Sequence, residues 1–246
     1  MGEGAPTWEE FLMGWELGIY RDPILCGVFA GLVLGYLGVF VVLKRMVFVT
    51  AAVSQASGLG VALSFFCGIH LGFEVHPVVG AVFLALISAA IFAIPVEKLR
   101  MSRESLLGVV YLATWAGSVL VGDRIAQEAH DIKAIIFGSA VLVQSIDMIL
   151  VLSFGGLVLL VYLLWHRGFV FSAFDAQSAR VQRIPVGTLE LLGWVLLALE
   201  VSVATRALGV LPVFAFAVLP AMTALTLAKN RIRWVLLIAA TVGALS

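Results

Sequence analysis

The chain has 246 residues, of which 62% are hydrophobic and only 12% charged, with a mean hydropathy of +1.12. A soluble domain carries about a quarter charged residues, so half of the usual solubilising charge is missing and the composition is that of a membrane protein. Fifteen basic residues balance fifteen acidic ones with no basic block, which excludes a nucleic-acid partner, and two cysteines are too few for a disulfide framework.

The N-terminal segment 1–22 is acidic, is broken by Pro6 and has no basic leader, so the apolar run after it is expected to stay as a span. A helix crossing the hydrocarbon needs roughly 20 residues, and runs free of Asp, Glu, Lys and Arg mark the candidates. These are Pro23 to Leu43, Val47 to Ile69, Pro77 to Val96, Ser105 to Gly122, Met148 to Trp165 and Ala207 to Ala228. Leu191 to Val203 is also apolar and includes Glu200, and Trp234 to Ser246 is a last, shorter run. Ala134 to Ile146 is too short to span and reads as a half-helix. The expected fold is a single all-α integral membrane domain, 1–246, with about eight transmembrane helices, a half-helix and a cytoplasmic helix. With the N-terminus outside, eleven of the fifteen Lys and Arg fall in inner loops, and only Arg21, Arg124, Lys133 and Arg206 lie outside.

Gly27, Gly31 and Gly35 recur every four residues on the first span, a small-residue row suited to close helix packing. Along the second span Thr50, Ser54, Ser57 and Ser64 form a polar stripe, and Gln55 sits beside Ser54. Such a stripe is costly against lipid, so it lines a path or clamps helices together. In the outer loop, His70, Glu74 and His76 are either transient cation ligands at a mouth or ordinary interfacial residues; His130 and Asp131 form a second such pair. Cys26 and Cys67 both fall near the outer surface and read as free buried thiols, with pairing geometrically possible. Asp147 and Glu200 are expected near the outer boundary, which leaves no carboxylate at mid-membrane of the kind a proton-driven carrier uses. Signatures of hydrolytic or phosphate-binding enzymes are lacking, so no enzymatic activity is expected. The inner loop 166–187 is moderately polar. There Asp175 is a natural N-cap for a short helix over Ala176 to Gln182, and Pro185 stops it from running into the next span.

Several pieces, in order, resemble permease subunits of ABC importers of the zinc/manganese type. They are Leu34-Gly35 to Met46, the stretch Thr50 to Ala62, Asp131 with Phe137-Gly138 and Asp147, Phe174-Asp175 with Ala179, and Gly209 through Pro220-Ala221 to Ala224. The resemblance implies a permease in the cell (inner) membrane, moving a divalent transition metal by alternating access, with zinc foremost and manganese or iron as other cargoes. It implies a homodimer, a cytoplasmic ABC ATPase subunit that uses the ATP, an extracytoplasmic metal-binding protein, and no cofactor on this chain. On that footing Thr50, Ser54, Gln55, Ser57 and Asp131 would line the path. Phe174, Asp175, Ala179 and Arg183 would couple to the ATPase, and Gly209, Pro220, Ala221 and Ala224 are the structural signature. In the second span the family usually has Asp and His where this chain has Ala51 and Gln55, and its coupling helix commonly ends in Gly where this chain has Arg183. An amide is a poorer ligand for such ions than carboxylate plus imidazole. The other functions open to the residues are an ATP-independent channel or secondary carrier, and a transport-deficient membrane scaffold.

Overall fold

The structure is a computed structural model that describes residues 20–73, 75–94, 102–125, 143, 145–228 and 232–245. The regular structure of the described residues is all helical: α1 (Arg21–Leu43), α2 (Val49–Phe66), α3 (Pro77–Ala93), α4 (Arg103–Arg124), α5 (Ser145–Leu164), α6 (His166–Phe174), α7 (Ala176–Val181), α8 (Val186–Leu208), α9 (Val210–Leu227) and α10 (Ile232–Leu245). Among them six are long and apolar enough to cross a bilayer: α1, α2 with its extension to Leu71, α4, α5, α8 and α9. The other two apolar runs are helical but shorter, with 17 residues in α3 and 14 in α10. The expected half-helix from Ala134 lies almost wholly outside the described residues; of it only Val143 and the last two positions, Ser145 and Ile146 in the first turn of α5, appear.

Local chemistry sets the helix ends. His76 caps α3 by accepting from the Val78 N–H at 3.4 Å, with Pro77 in the first helical position. Ser102 caps α4 by accepting from the Ser105 N–H at 3.0 Å. α1 closes in a Schellman turn: the Met46 N–H reaches the Val41 carbonyl at 3.1 Å and the Arg45 N–H reaches Val42 at 2.9 Å, which puts Arg45 at φ +57°. Past α2 the chain widens into a π-helical turn, Cys67–Leu71, which stops at Gly72 with φ +68°.

α1 is the central helix, packed on α9, α10, α5 and α8. Its glycines explain how closely the helices approach. A Cβ on Gly31 would stand 2.0 Å from the Gly243 carbonyl oxygen, one on Gly35 2.5 Å from that of Ala239, and one on Gly38 1.7 Å from that of Ala217. The row therefore packs helix against helix, but through Gly31, Gly35 and Gly38, since Gly27 meets nothing within 4 Å. The signature residues sit on the same seam: Pro220 faces Gly35, Ala221 faces Gly38, and Pro220, Ala221 and Ala224 are all buried. Gly209, at φ +97°, makes the break that separates α8 from α9. α2 packs between α3 and α4, and α8 crosses α3, α2 and α5. α4 packs mainly on α2 and, slightly, on α3 among the described helices, and leaves Val109, Leu112, Trp115, Val119 and Leu120 exposed.

Candidate functional site

The polar stripe of α2 lies inside the bundle. Thr50, Ser54, Gln55, Ser57 and Ser64 are all buried. Two of the hydroxyls turn back on their own helix: Thr50 Oγ1 donates to the Val47 carbonyl at 3.2 Å and Ser64 Oγ to Gly60 at 3.0 Å. Ser57 Oγ instead donates across to the Ser202 carbonyl of α8 at 3.3 Å and so ties the two helices together. Ser54 Oγ and Gln55 Oε1 are buried without a hydrogen-bond partner. An unpaired buried acceptor costs free energy of order 1–3 kcal/mol, so it marks a place where a donor is missing.

Gln55 faces a cavity of about 720 Å³ between α2, α4 and α9, whose walls include Ala51, Leu107, Tyr111, Val210 and Phe214, with Arg45 and Glu104 at its rim. Phe48 closes one side by stacking on Phe214, ring centroids 6.3 Å apart. Of the four α2 path candidates, the cavity brings in Gln55 alone. Thr50, Ser54 and Ser57 are not part of its lining. Ala51 and Gln55, the two positions where the family carries Asp and His, both border it.

The candidates for a cation-binding mouth do not converge. His70 stacks on Phe66, centroids 4.4 Å apart, and His76 is used as a helix cap. Glu74, His130 and Asp131 lie outside the described residues. Among the described residues, His, Cys, Asp and Glu do not gather in threes that could hold a metal ion, and Cys26 and Cys67 are free thiols.

On the loop 166–187 the short helix forms as expected, as α7. Asp175 caps it: its Oδ1 accepts the Ser178 N–H at 3.0 Å and its Oδ2 the Ser178 hydroxyl at 2.5 Å. Ala179 is fully buried, whereas Phe174 and Val181 are exposed, so the helix seats one face and offers its flanks to the surroundings. It ends in a second Schellman turn. The Ile184 N–H reaches the Ala179 carbonyl at 3.0 Å, and Arg183 takes the left-handed position at φ +59° that glycine fills most cheaply. The residues before it, read as loop, are the helix α6, whose Gly168 and Phe169 pack on Leu189 and Gly193 of α8. His166, at its start, shares a hydrogen bond between its Nδ1 and the Tyr36 hydroxyl, 3.2 Å. Burial first, and the nearby Arg233 second, hold its imidazole below the ordinary histidine range. Close by, Lys44 pairs with Glu190 at 3.1 Å and lies 5.1 Å over the Trp194 ring.

The carboxylates correct one expectation. Asp147 does sit at a helix end, third in α5, at 3.2 Å from Arg206 Nε; this is ion-pairing distance but not hydrogen-bonding geometry. Glu200 does not lie at the boundary. It is fifteenth of the 23 residues of α8, is 1% exposed, and abuts Gly155 in the middle of α5. Its depth escaped the sequence because α8 runs several residues past both ends of the apolar stretch Leu191 to Val203. A deep carboxylate is therefore present, and its supposed absence is no argument against a proton-driven carrier.

The six candidate spans, the glycine-packed helices around α1 and the capped helix on the loop 166–187, together with the family match that follows, define the class: a multi-pass helical membrane permease subunit, not itself an ATPase. Residues 18–246 match the ABC 3 transport family, and the chain belongs to that family. It is 27% identical to the manganese transport system membrane protein MntC of Halalkalibacterium halodurans over 92% of this chain and 75% of that one. To the manganese import system permease protein ScaB of Streptococcus gordonii it is 27% identical, over 96% and 82%. The structure of PsaBC from Streptococcus pneumoniae in complex with Fab aligns with a TM-score of 0.82 at 25% identity, covering 97% of this chain and 84% of that one. An inward-facing conformation of a putative metal-chelate type ABC transporter shares the fold, with a TM-score of 0.76 at 15% identity. Membership of the family, unlike the carboxylate argument, separates this chain from secondary carriers, and it implies ATPase and binding-protein partners.

Proposed function

We propose that this permease imports a divalent transition metal ion as a homodimer, with its N-terminus outside and the ion passing along the α2 stripe by way of Gln55. The observation that carries the reading is Gln55 Oε1, buried, without a partner and bordering the cavity beside α4, whose apolar side chains Val109, Leu112, Trp115, Val119 and Leu120 are exposed. Because Ala51 and Gln55 offer one neutral oxygen, the ion is passed along and not held, and a weak site suits a conduit. A cytoplasmic ATPase docks on α7 and its flanks, at Phe174, Asp175 and Arg183, while the buried Ala179 seats the helix on this chain; closure of the ATPase draws the α7 helices together and rocks α8, which follows α7 directly. A binding protein delivers the ion at the outer loops. The relatives named above carry manganese in their names, so manganese is the first ion to test, with zinc and iron beside it.

The test is reconstitution in proteoliposomes. The permease with its ATPase and loaded binding protein should accumulate manganese only with ATP inside the complex's reach, and the permease alone should pass none. Sustained uphill flux by the permease alone would establish the carrier instead. A folded complex that hydrolyses ATP with no flux of any of the three metals would establish the scaffold.

A further inference from the structure

Glu200 plays no part in the path or the coupling described above, yet the bundle is shaped around it. Both of its carboxyl oxygens are buried and lack a hydrogen-bond partner. They fill the space that a side chain at position 155 would occupy: a Cβ there would lie 3.2 Å from each oxygen and 2.7 Å from the Phe29 ring. Glycine at 155 thus leaves a recess of carboxyl size between α8, α5 and α1.

The charged groups around that recess are already committed. On α1, Asp22 accepts from the Ser145 hydroxyl at 2.6 Å and from Arg21 at 3.1 Å. On α5, Asp147 pairs with Arg206, the cation that follows Glu200 on α8. The remaining titratable neighbour at this level is the Cys26 thiol of α1, near enough to both Glu200 and Asp147 to feel their charge. α2, α3 and α9, the other helices packed on this stretch of α8, carry no titratable residue between their bounds. α6 meets α8 near its Val186 end, through Leu189 and Gly193, and α7 adjoins that same end in the chain, so His166, Arg167, Tyr36, Tyr162 and Glu190 belong to the opposite end of the bundle. Arg206 keeps a buried Nη1 without a hydrogen-bond partner, but its ion pair is with Asp147; among the described residues Glu200 itself has no ion pair and no N–H donor in hydrogen-bonding reach, and a bare carboxylate in the membrane interior is far dearer to bury than the neutral acid.

We propose that Glu200 is a proton-binding site of this permease: the carboxyl holds a proton while α8 is seated on α1 and α5, and releases it to water at the Asp147 end when the helices part. In the step an O–H bond of the carboxyl breaks, the proton passes to water and the carboxylate remains hydrated; reseating reverses it, so no other reactant is needed. The seat is tied to the path. Two residues along α8, the Ser202 carbonyl takes the hydrogen bond of Ser57 on α2, so moving α8 off its seat moves the helix that carries Gln55. The ligand is the proton alone, and the site stands whether or not the cargo is a metal; only its effect on uptake rests on the transport reading.

The experiment uses the full permease in nanodiscs, with and without its ATPase. Infrared spectra at neutral pH should show a protonated-carboxyl C=O band that shifts in D2O, disappears in Glu200→Gln and moves in Glu200→Asp. ATP-driven manganese uptake should lose one limb of its pH dependence in Glu200→Gln, since the amide mimics the protonated state at all pH values. A spectrum unchanged by either substitution would overturn the site. A band assigned to Glu200 with a wild-type pH profile in Glu200→Gln would overturn its role in the cycle. The spectra need no transport, so they remain decisive if the chain proves not to import metals.

Discussion

Gly27 and Gly31 stand one turn apart in the same row of α1, yet the structure assigns them opposite consequences on substitution by alanine. At Gly31 the new methyl would lie 2.0 Å from the Gly243 carbonyl oxygen and 2.8 Å from its carbon, where real Cβ atoms stay beyond 3.0 Å. The contact is with backbone, so no side chain can rotate away, and α10 must retreat by about 1 Å along a seam that also includes Gly35 against Ala239. Overpacking of this kind costs about 1–3 kcal/mol, and the rigidity of the obstacle puts Gly31→Ala at the upper end, about 3 kcal/mol. At Gly27 the methyl meets nothing within 4 Å, and removing a helix-interior glycine contributes up to about 1 kcal/mol of stability. The assay is equilibrium unfolding of the purified permease in mixed dodecyl maltoside and SDS micelles, followed by far-ultraviolet circular dichroism. The expected separation is about 3–4 kcal/mol between two chemically identical changes. Equal stabilities for the two variants would refute the α1–α10 packing, and with it the account of the glycine row.

The two helix-ending arginines make a second pair. Arg183→Gly and Arg45→Gly both relieve a left-handed backbone at φ +59° and +57°, and each should raise stability by about 1 kcal/mol in the same unfolding assay. Asp175→Arg removes the cap of α7 and reverses its charge; the protein should insert and fold with a loss of about 1 kcal/mol, while ATP-driven uptake is abolished, and wild-type uptake would remove α7 from the coupling role. Burial keeps His166 neutral in the folded protein, so the unfolded chain binds more protons below the ordinary histidine range. Stability should therefore fall as pH drops through about 6.5, and His166→Asn should flatten that slope in pH-dependent melting. Gln55→His places an imidazole at the cavity wall and should raise the metal retained after detergent purification, measured by elemental analysis; unchanged content would argue against Gln55 facing the path.

What the sequence made legible follows from what lipid makes expensive. Charge gaps locate the spans because an unpaired charge in hydrocarbon is penalised at each position alone, with no knowledge of partners, and the eight apolar runs all reappear as helices. Asp175 was equally readable, because a cap acts within one turn; Pro185 does separate the two helices, but as the N-cap of α8, while α7 already stops in the turn at Arg183. α6 was not, since nine residues with one basic side chain carry no period long enough to separate a short helix from a polar loop. Nor could the row at Gly27, Gly31 and Gly35 reveal that the contact runs on through Gly38 and spares Gly27, for that depends on where α10 and α9 cross α1, some 200 residues later in the chain. Glu200 is the most instructive miss. Counting charges to find helix ends assumes that a charge lies at an end; a carboxyl that can shed its charge by holding a proton, in a recess left by Gly155, breaks that assumption without breaking the helix. The rule that found the spans therefore misplaces Glu200, because it counts every carboxyl as charged, whereas the proton-binding site proposed above would let a neutral acid lie in the bundle without a counter-ion.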